Sequence, residues 1–188
     1  WRTAPSDALQ AIPLAALVSR EETRIRTELA LDPSEQIRVA VVYEGEAYGQ
    51  GLNNALSKEM RFNGKNVTDN RSNFLPVQYA DPSSGNVDYS QNVSDVVAFA
   101  PHIVVLLGTS EIVPRLIVPM ESAWPTVASA PPRPVYLLPD GGHDVLLLGA
   151  IDADNALRTR VRGTVPGRKV GNYDAFALRY KARFSNAT

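Results

Sequence analysis

Two short runs constrain the fold more than anything else in the chain. "IRVAVVY" (Ile37 to Tyr43) and "IVVLL" (Ile103 to Leu107) are β-branched and almost unbroken by polar residues. That is the pattern of strands buried on both faces. Such strands need a layer of structure on each side, and the segments between them carry helical periods.

Ser6 to Leu31 reads as a long helix, capped by Ser6 or Asp7, with Leu9, Ile12, Leu17 and Leu29 among its apolar positions. Pro13 should bend it or confine its regular part to the residues that follow. Gln50 to Phe62 reads as a helix with Leu52, Ala55, Leu56 and Met60 on one stripe and Gly64 as its stop. Phe74 to Ala80 is a second, weaker strand, and Asp88 or Ser90 caps a helix carrying Val93, Val96, Val97 and Phe99. Ser110 to Ala123 contains Pro114 and Pro119, which predicts a short or kinked helix. Val135 to Leu138 is a fourth strand, His143 to Leu157 is mixed, and Val161 to Thr164 is a short last strand. Tyr173 to Phe184 reads as an amphipathic helix. Strands alternating with helices predict a single α/β domain, a parallel sheet with helices on both faces.

Composition narrows the function classes. The net charge is −1, and the 19 Lys and Arg form no basic block, which argues against a nucleic-acid partner. The absence of Cys excludes disulfides and thiolate chemistry. No apolar run approaches the ~20 residues of a membrane span. The opening "WRTAPSDALQ" has neither an initiator Met nor a signal-peptide pattern, which predicts that the sequence begins inside a longer gene product.

The stretch "VVYEGEAYGQGL" (Val41 to Leu52) joins a strand to a helix through glycines, an arrangement that often cradles phosphate. Here Gly49 and Gly51 are followed by Asn54, so a dinucleotide fingerprint lacks its third glycine, and a Walker-type Lys is absent. Glu44 and Glu46 stand where an anion would approach and oppose it. The simpler reading is that the glycines let the chain turn sharply. Neither reading accounts for Tyr48, an aromatic at the carboxyl end of a strand, where open α/β sheets bind ligands.

Seven segments occur in a distinctive order: "RTAPSDALQA", "IRVAVVYEGEAYGQGL", "DYSQNVSDV", "PHIVVLLG", "PVYLLPDGG", "RVRGTVPG" and "YDAFALRYKARF". Together they resemble the type I periplasmic binding proteins, in the branched-chain amino-acid-binding class that serves ABC transporters. The resemblance implies a Rossmann-like second lobe of a two-lobe clamshell, with hinge-proximal segments near both ends. A first lobe and a signal peptide would lie outside this chain. It further implies an extracytoplasmic, non-enzymatic protein that binds a small solute, an amino acid first among them, and delivers it to an ABC permease. Without a partner lobe, self-association through the uncovered hinge surface is expected.

Carried over residue by residue, the resemblance assigns ligand contacts to Tyr48, to Gly108 and Thr109 at a strand end, and to Asp140 in "LPDGG", where an acid meets the ligand's ammonium. Asp140-Gly141-Gly142 also reads as plain turn chemistry. Glu44 and Glu111 read as acids on the cleft rim, with solvent exposure as their default state. His102 reads as a helix–strand loop residue. His143, near Asp140 and Asp144, has too few partners for a zinc spacing. Asp152 and Asp154 read as helix caps. Ser110 lacks a nucleophile elbow. No cofactor or metal is predicted. Two alternatives stay open: a sensing lobe with the same fold, and a small flavodoxin-like α/β enzyme.

Overall fold

The computed structural model describes residues 7–165 and 173–183. Helix α1 (Asp7–Glu28) leads into strand β1 (Val39–Glu44) and helix α2 (Ala47–Glu59). A small hairpin of β2 (Arg61–Phe62) and β3 (Lys65–Asn66) follows, then β4 (Phe74–Tyr79), α3 (Ser90–Phe99) and β5 (Ile103–Leu107). A π-helical turn over Val113–Ile117 runs into α4 (Val118–Ala123). Then come β6 (Val135–Leu138), α5 (Val145–Ala153), α6 (Asn155–Arg158), β7 (Val161–Gly163) and α7 (Tyr173–Arg183).

Five strands form one parallel sheet in the order β4-β1-β5-β6-β7. The alternation of side chains divides the core cleanly. Val39, Val41, Ile103, Val105, Leu107, Val135 and Leu137 point toward α1 and α2. Ala40, Val42, Val104, Leu106, Tyr136 and Leu138 point toward the opposite layer, built from α3, the π-helical turn, α4, α5 and α6. All five residues of β5 are buried, as expected for a central strand covered twice. The predicted doubly covered parallel sheet is therefore the observed one.

Several local expectations are corrected. Helix α1 runs through Pro13, which sits near its start and removes only the bond to the Leu9 carbonyl. Its core face is Ala11, Leu14, Ala15, Leu17, Val18 and Ile25, whereas Leu9 and Ile12 are 60% and 54% exposed and Leu29 lies past the helix end. The expected cap Ser6, the Asp7 side chain, and the "RTAPS", "PG" and Phe184 parts of the quoted segments lie outside the described residues. Gly64 does not stop a helix. Helix α2 ends at Glu59, and Asn63 and Gly64, with φ of 52° and 68°, form the two-residue turn between β2 and β3. Positive φ at both positions is what a tight hairpin demands.

Leu52, Leu56 and Met60 are fully buried against α1 and the sheet, as their stripe predicts. Pro114 falls in the π-helical turn and Pro119 at the start of α4, so the predicted kink takes the form of a wide turn followed by a short helix. Asp144 and Asp154 cap α5 and α6, accepting from the backbone N–H groups of Leu146, and of Ala156 and Leu157. Asp152 instead pairs with Arg158 at 3.0 Å.

Leu56→Ala should cost about 2–5 kcal/mol by opening a cavity between α2 and the sheet. Leu9→Ala, on the outward face of α1, should stay within about 0.5 kcal/mol of the parent. Urea titrations of the two variants check the contrast, and an equal loss would show that the core lies elsewhere.

Candidate functional site

In a parallel sheet of this order the chain proceeds outward from β1 to β4, then returns to the other side of β1 with β5. The loops leaving β1 and β5 therefore diverge, and this reversal point at the carboxyl edge is where open α/β sheets bind ligands. Glu44, Gly108 and Asp140 stand at or just beyond the ends of β1, β5 and β6. Tyr48 lies in the first turn of α2.

The glycines of "YGQG" are helical, which corrects the reading of them as a sharp turn. Helix α2 begins at Ala47, before them. What Gly49 supplies is closeness. A Cβ there would lie 2.6 Å from the Glu44 Cγ and 2.8 Å from its backbone nitrogen, and would overlap its carbonyl oxygen. The first turn of α2 rests directly on the end of β1, and this contact fixes where Tyr48 stands.

Gly141 is also closely approached, though less tightly. A Cβ there would come within 2.9 Å of the Gly108 carbonyl oxygen and 3.1 Å of the Tyr48 hydroxyl. The structure thus brings together three of the sequence-predicted positions, Tyr48, Gly108 and the Asp140 loop, from three separate strand ends. Asp140 is half-buried and opens the turn Asp140–Gly142, its carbonyl accepting from the His143 N–H. His143 is exposed.

Thr109 is exposed, and its donors are engaged. Its N–H donates to Glu111 Oε1 at 3.0 Å and its hydroxyl to Glu111 Oε2 at 2.5 Å. Tyr79, at the end of β4, also donates to Glu111 Oε1, at 2.6 Å. Gly108 leaves room for this pair, since a Cβ would overlap the Tyr79 hydroxyl and Glu111 Oε1. The Tyr89 ring packs on Tyr79 with centroids 5.4 Å apart.

Glu44 is 8% exposed, which overturns its expected solvation; Glu111 is half-buried. The two acids have opposite electrostatics. Burial, followed by the charges of Glu111, Asp81 and Glu46, raises the Glu44 carboxyl above its ordinary range, and the Gly49 N–H offsets only part of this. For Glu111 burial pushes the same way, but the bonds from Thr109 and Tyr79 prevail and hold it below the ordinary range. Burial, then the bond to Glu111, raises Tyr79 far above a free phenol.

Sequence reasoning missed Tyr79, Asp81 and Tyr89. The available signal was register: Tyr79 pairs across from Glu44, so an aromatic ending the strand beside β1 reaches the same edge. His102, expected in a loop, sits before β5 with Nδ1 accepting from the Arg38 N–H at 3.0 Å. Among the described residues, no helix is long and apolar enough to cross a membrane.

By sequence, no protein-family model and no curated protein matches the chain. By structure, it has the α/β fold of a type I periplasmic-binding-protein lobe. It is similar to a fatty acid ABC transporter substrate-binding protein from Thermomonospora curvata, with TM-score 0.53 and 11% identity, over 98% of this chain and 45% of that one. It is also similar to a protein described as an ABC transporter permease from the Pseudomonas fluorescens group, with TM-score 0.50 and 12% identity, over 94% of this chain and 37% of that one. The chain therefore spans less than half the length of these structures.

Gly49→Ala should destabilise the protein by about 1–3 kcal/mol through overpacking against the end of β1. Gly149→Ala, on α5 with open space around it, should instead stabilise by about 0.5–1 kcal/mol. Chemical denaturation distinguishes the two.

A second expectation concerns pH. Glu44 is raised in the folded state, so folding takes up a proton in the window just above the ordinary carboxylate range, and stability declines as pH rises through that window. Glu44→Gln removes this dependence. The urea midpoint of the variant should therefore gain on the parent as pH rises through the window; a constant difference would contradict the assignment.

Proposed function

We propose that the chain is one lobe of an extracytoplasmic solute-binding protein of the ABC-transporter kind. In this reading the carboxyl edge of its sheet forms one wall of a cleft for a small solute bearing an ammonium group. An amino acid, branched-chain or related, is the first candidate. The observation that carries this reading is the meeting of the Tyr48, Gly108 and Asp140 loops at the strand-order reversal, beside carboxylates at 44, 111 and 140. Among the described residues neither Glu44 nor Glu111 forms an ion pair: the charges acting on Glu44 are those of Glu111, Asp81 and Glu46, and Glu111 is held by Thr109 and Tyr79. A carboxylate in a poorly hydrated cleft pairs strongly with an ammonium, and an aromatic wall adds apolar area and cation–π attraction.

The role is binding rather than catalysis. A second lobe would supply the other wall, closure on the solute would provide most of the affinity, and an ABC permease would be the partner that receives it. The structural neighbours described as ABC-transporter proteins support this reading at the level of fold.

The test is isothermal titration calorimetry of the full-length gene product against amino acids and polyamines. Fatty acids belong in the panel because one neighbour is described as a fatty acid binder. An ammonium-bearing solute should bind saturably, and Tyr48→Ala and Asp140→Asn should each weaken it by tenfold or more. Binding of fatty acids alone, unaffected by either substitution, would overturn the reading.

A further inference from the structure

The amino edge of the sheet holds a second polar assembly of opposite character. Glu121 of α4 sits between two arginines. Arg160, just before β7, grips it with both terminal nitrogens, Nη1 to Oε1 and Nη2 to Oε2, each at 2.7 Å. Arg133, just before β6, donates Nη1 to Oε2 at 2.6 Å and to the Glu121 carbonyl at 2.8 Å. The Tyr136 hydroxyl adds a bond to Oε1 at 2.8 Å. Against the effect of burial, these bonds hold the Glu121 carboxyl below its ordinary range.

Arg160 spends two further donors on the carbonyls of Ala156 and Pro134. Arg133 does not. Among the described residues its bonds all run through Nη1, which leaves the Nε–Nη2 side of the guanidinium unbonded on a partly exposed side chain. That side presents two parallel N–H groups, the geometry that takes two oxygens of one carboxylate or phosphate.

Arg133 and Arg160 line a hollow of about 400 Å³ together with Arg24, Ile25, Leu29 and His102. The His102 Nδ1 accepts from the Arg38 N–H, so the neutral ring carries its proton on Nε2 and offers a donor. Burial, then the nearby charges of Arg38 and Arg26, lowers His102, with Glu35 acting the other way. Acids are present too. Glu28 lines the hollow, and Arg24 is paired with Glu21 and Glu28 at 2.7 and 2.6 Å. Arg162 lies 3.9 Å from Glu21. Asp154 adds a fourth carboxylate whose charge acts on Arg133 and Arg160, so four guanidiniums face four carboxylates, and what Arg133 keeps is a pair of N–H donors on a side chain 34% exposed. A guanidinium with the N–H groups of one side unbonded takes an oxyanion there through charge-assisted hydrogen bonds.

We propose that this hollow binds a small organic oxyanion, a carboxylate or phosphate group on an apolar body. The oxyanion meets the Nε–Nη2 side of Arg133 and the His102 Nε2–H, and the apolar body lies on Ile25, Leu29 and Pro132. The site is at the edge of the sheet opposite Tyr48 and Asp140 and does not depend on what the carboxyl edge binds.

The test is thermal unfolding and calorimetry of the protein with phenyl phosphate, benzoate and neutral benzyl alcohol. Saturable stabilisation by at least one anion, absent with the alcohol, is expected. The anion that acts identifies the headgroup. Arg133→Gln should weaken binding tenfold or more. Because that substitution also touches Glu121, Leu29→Glu provides an independent check: it places a carboxylate at the 41%-exposed rim, leaves the arginine network intact, and should weaken binding to the same degree. No saturable effect of either anion, or binding unchanged in Leu29→Glu, would overturn the proposal.

Discussion

The structure depends on the complete burial of β5. Five consecutive apolar residues without solvent on either side oblige the chain to build helices above and below. The sheet interior then has no room for unpaired polar groups. Polar chemistry is displaced to the two ends of the strands, and the molecule becomes a slab with a dry middle and two chemically distinct rims.

Those rims treat the same side chain in opposite ways. At the amino edge Glu121 is met by two arginines and a tyrosine, and its charge is fully compensated. At the carboxyl edge Glu44 is at least as well shielded from water, yet among the described residues the charges around it are those of other acids, with one backbone N–H. Burying a carboxylate without a counter-charge is unfavourable. At one rim the carboxylate is fully met and only Arg133 keeps spare donors; at the other the described residues leave the carboxylates without a paired cation. The solute reading rests on that asymmetry, as much as on the fold.

The sheet was legible in the sequence because its strands advertise themselves locally. "IVVLL" and the apolar run at Val135 coincide with β5 and β6, and the helical stripe of Leu52, Leu56 and Met60 faces the core as read. The start of α2 was not legible. Glycine disfavours helix, and only the fit of Gly49 against Glu44 makes it the required residue there. The Asn63-Gly64 hairpin was hidden by an adjacent helix pattern. Three of the edge positions were visible through motif order, but Tyr79, Asp81 and the burial of Glu44 arise from strand pairing across more than thirty residues, which no local pattern contains.

The contact of Gly49 with the end of β1 has a consequence for how such an edge diversifies. Backbone touches backbone there, so the Cα of residue 48 is held at a fixed height above the sheet whatever side chain it carries. The same holds at Gly141, wedged against the Gly108 carbonyl. A substitution at this rim thereby exchanges a side chain on a stationary mount, while the frame that displays it stays unaltered.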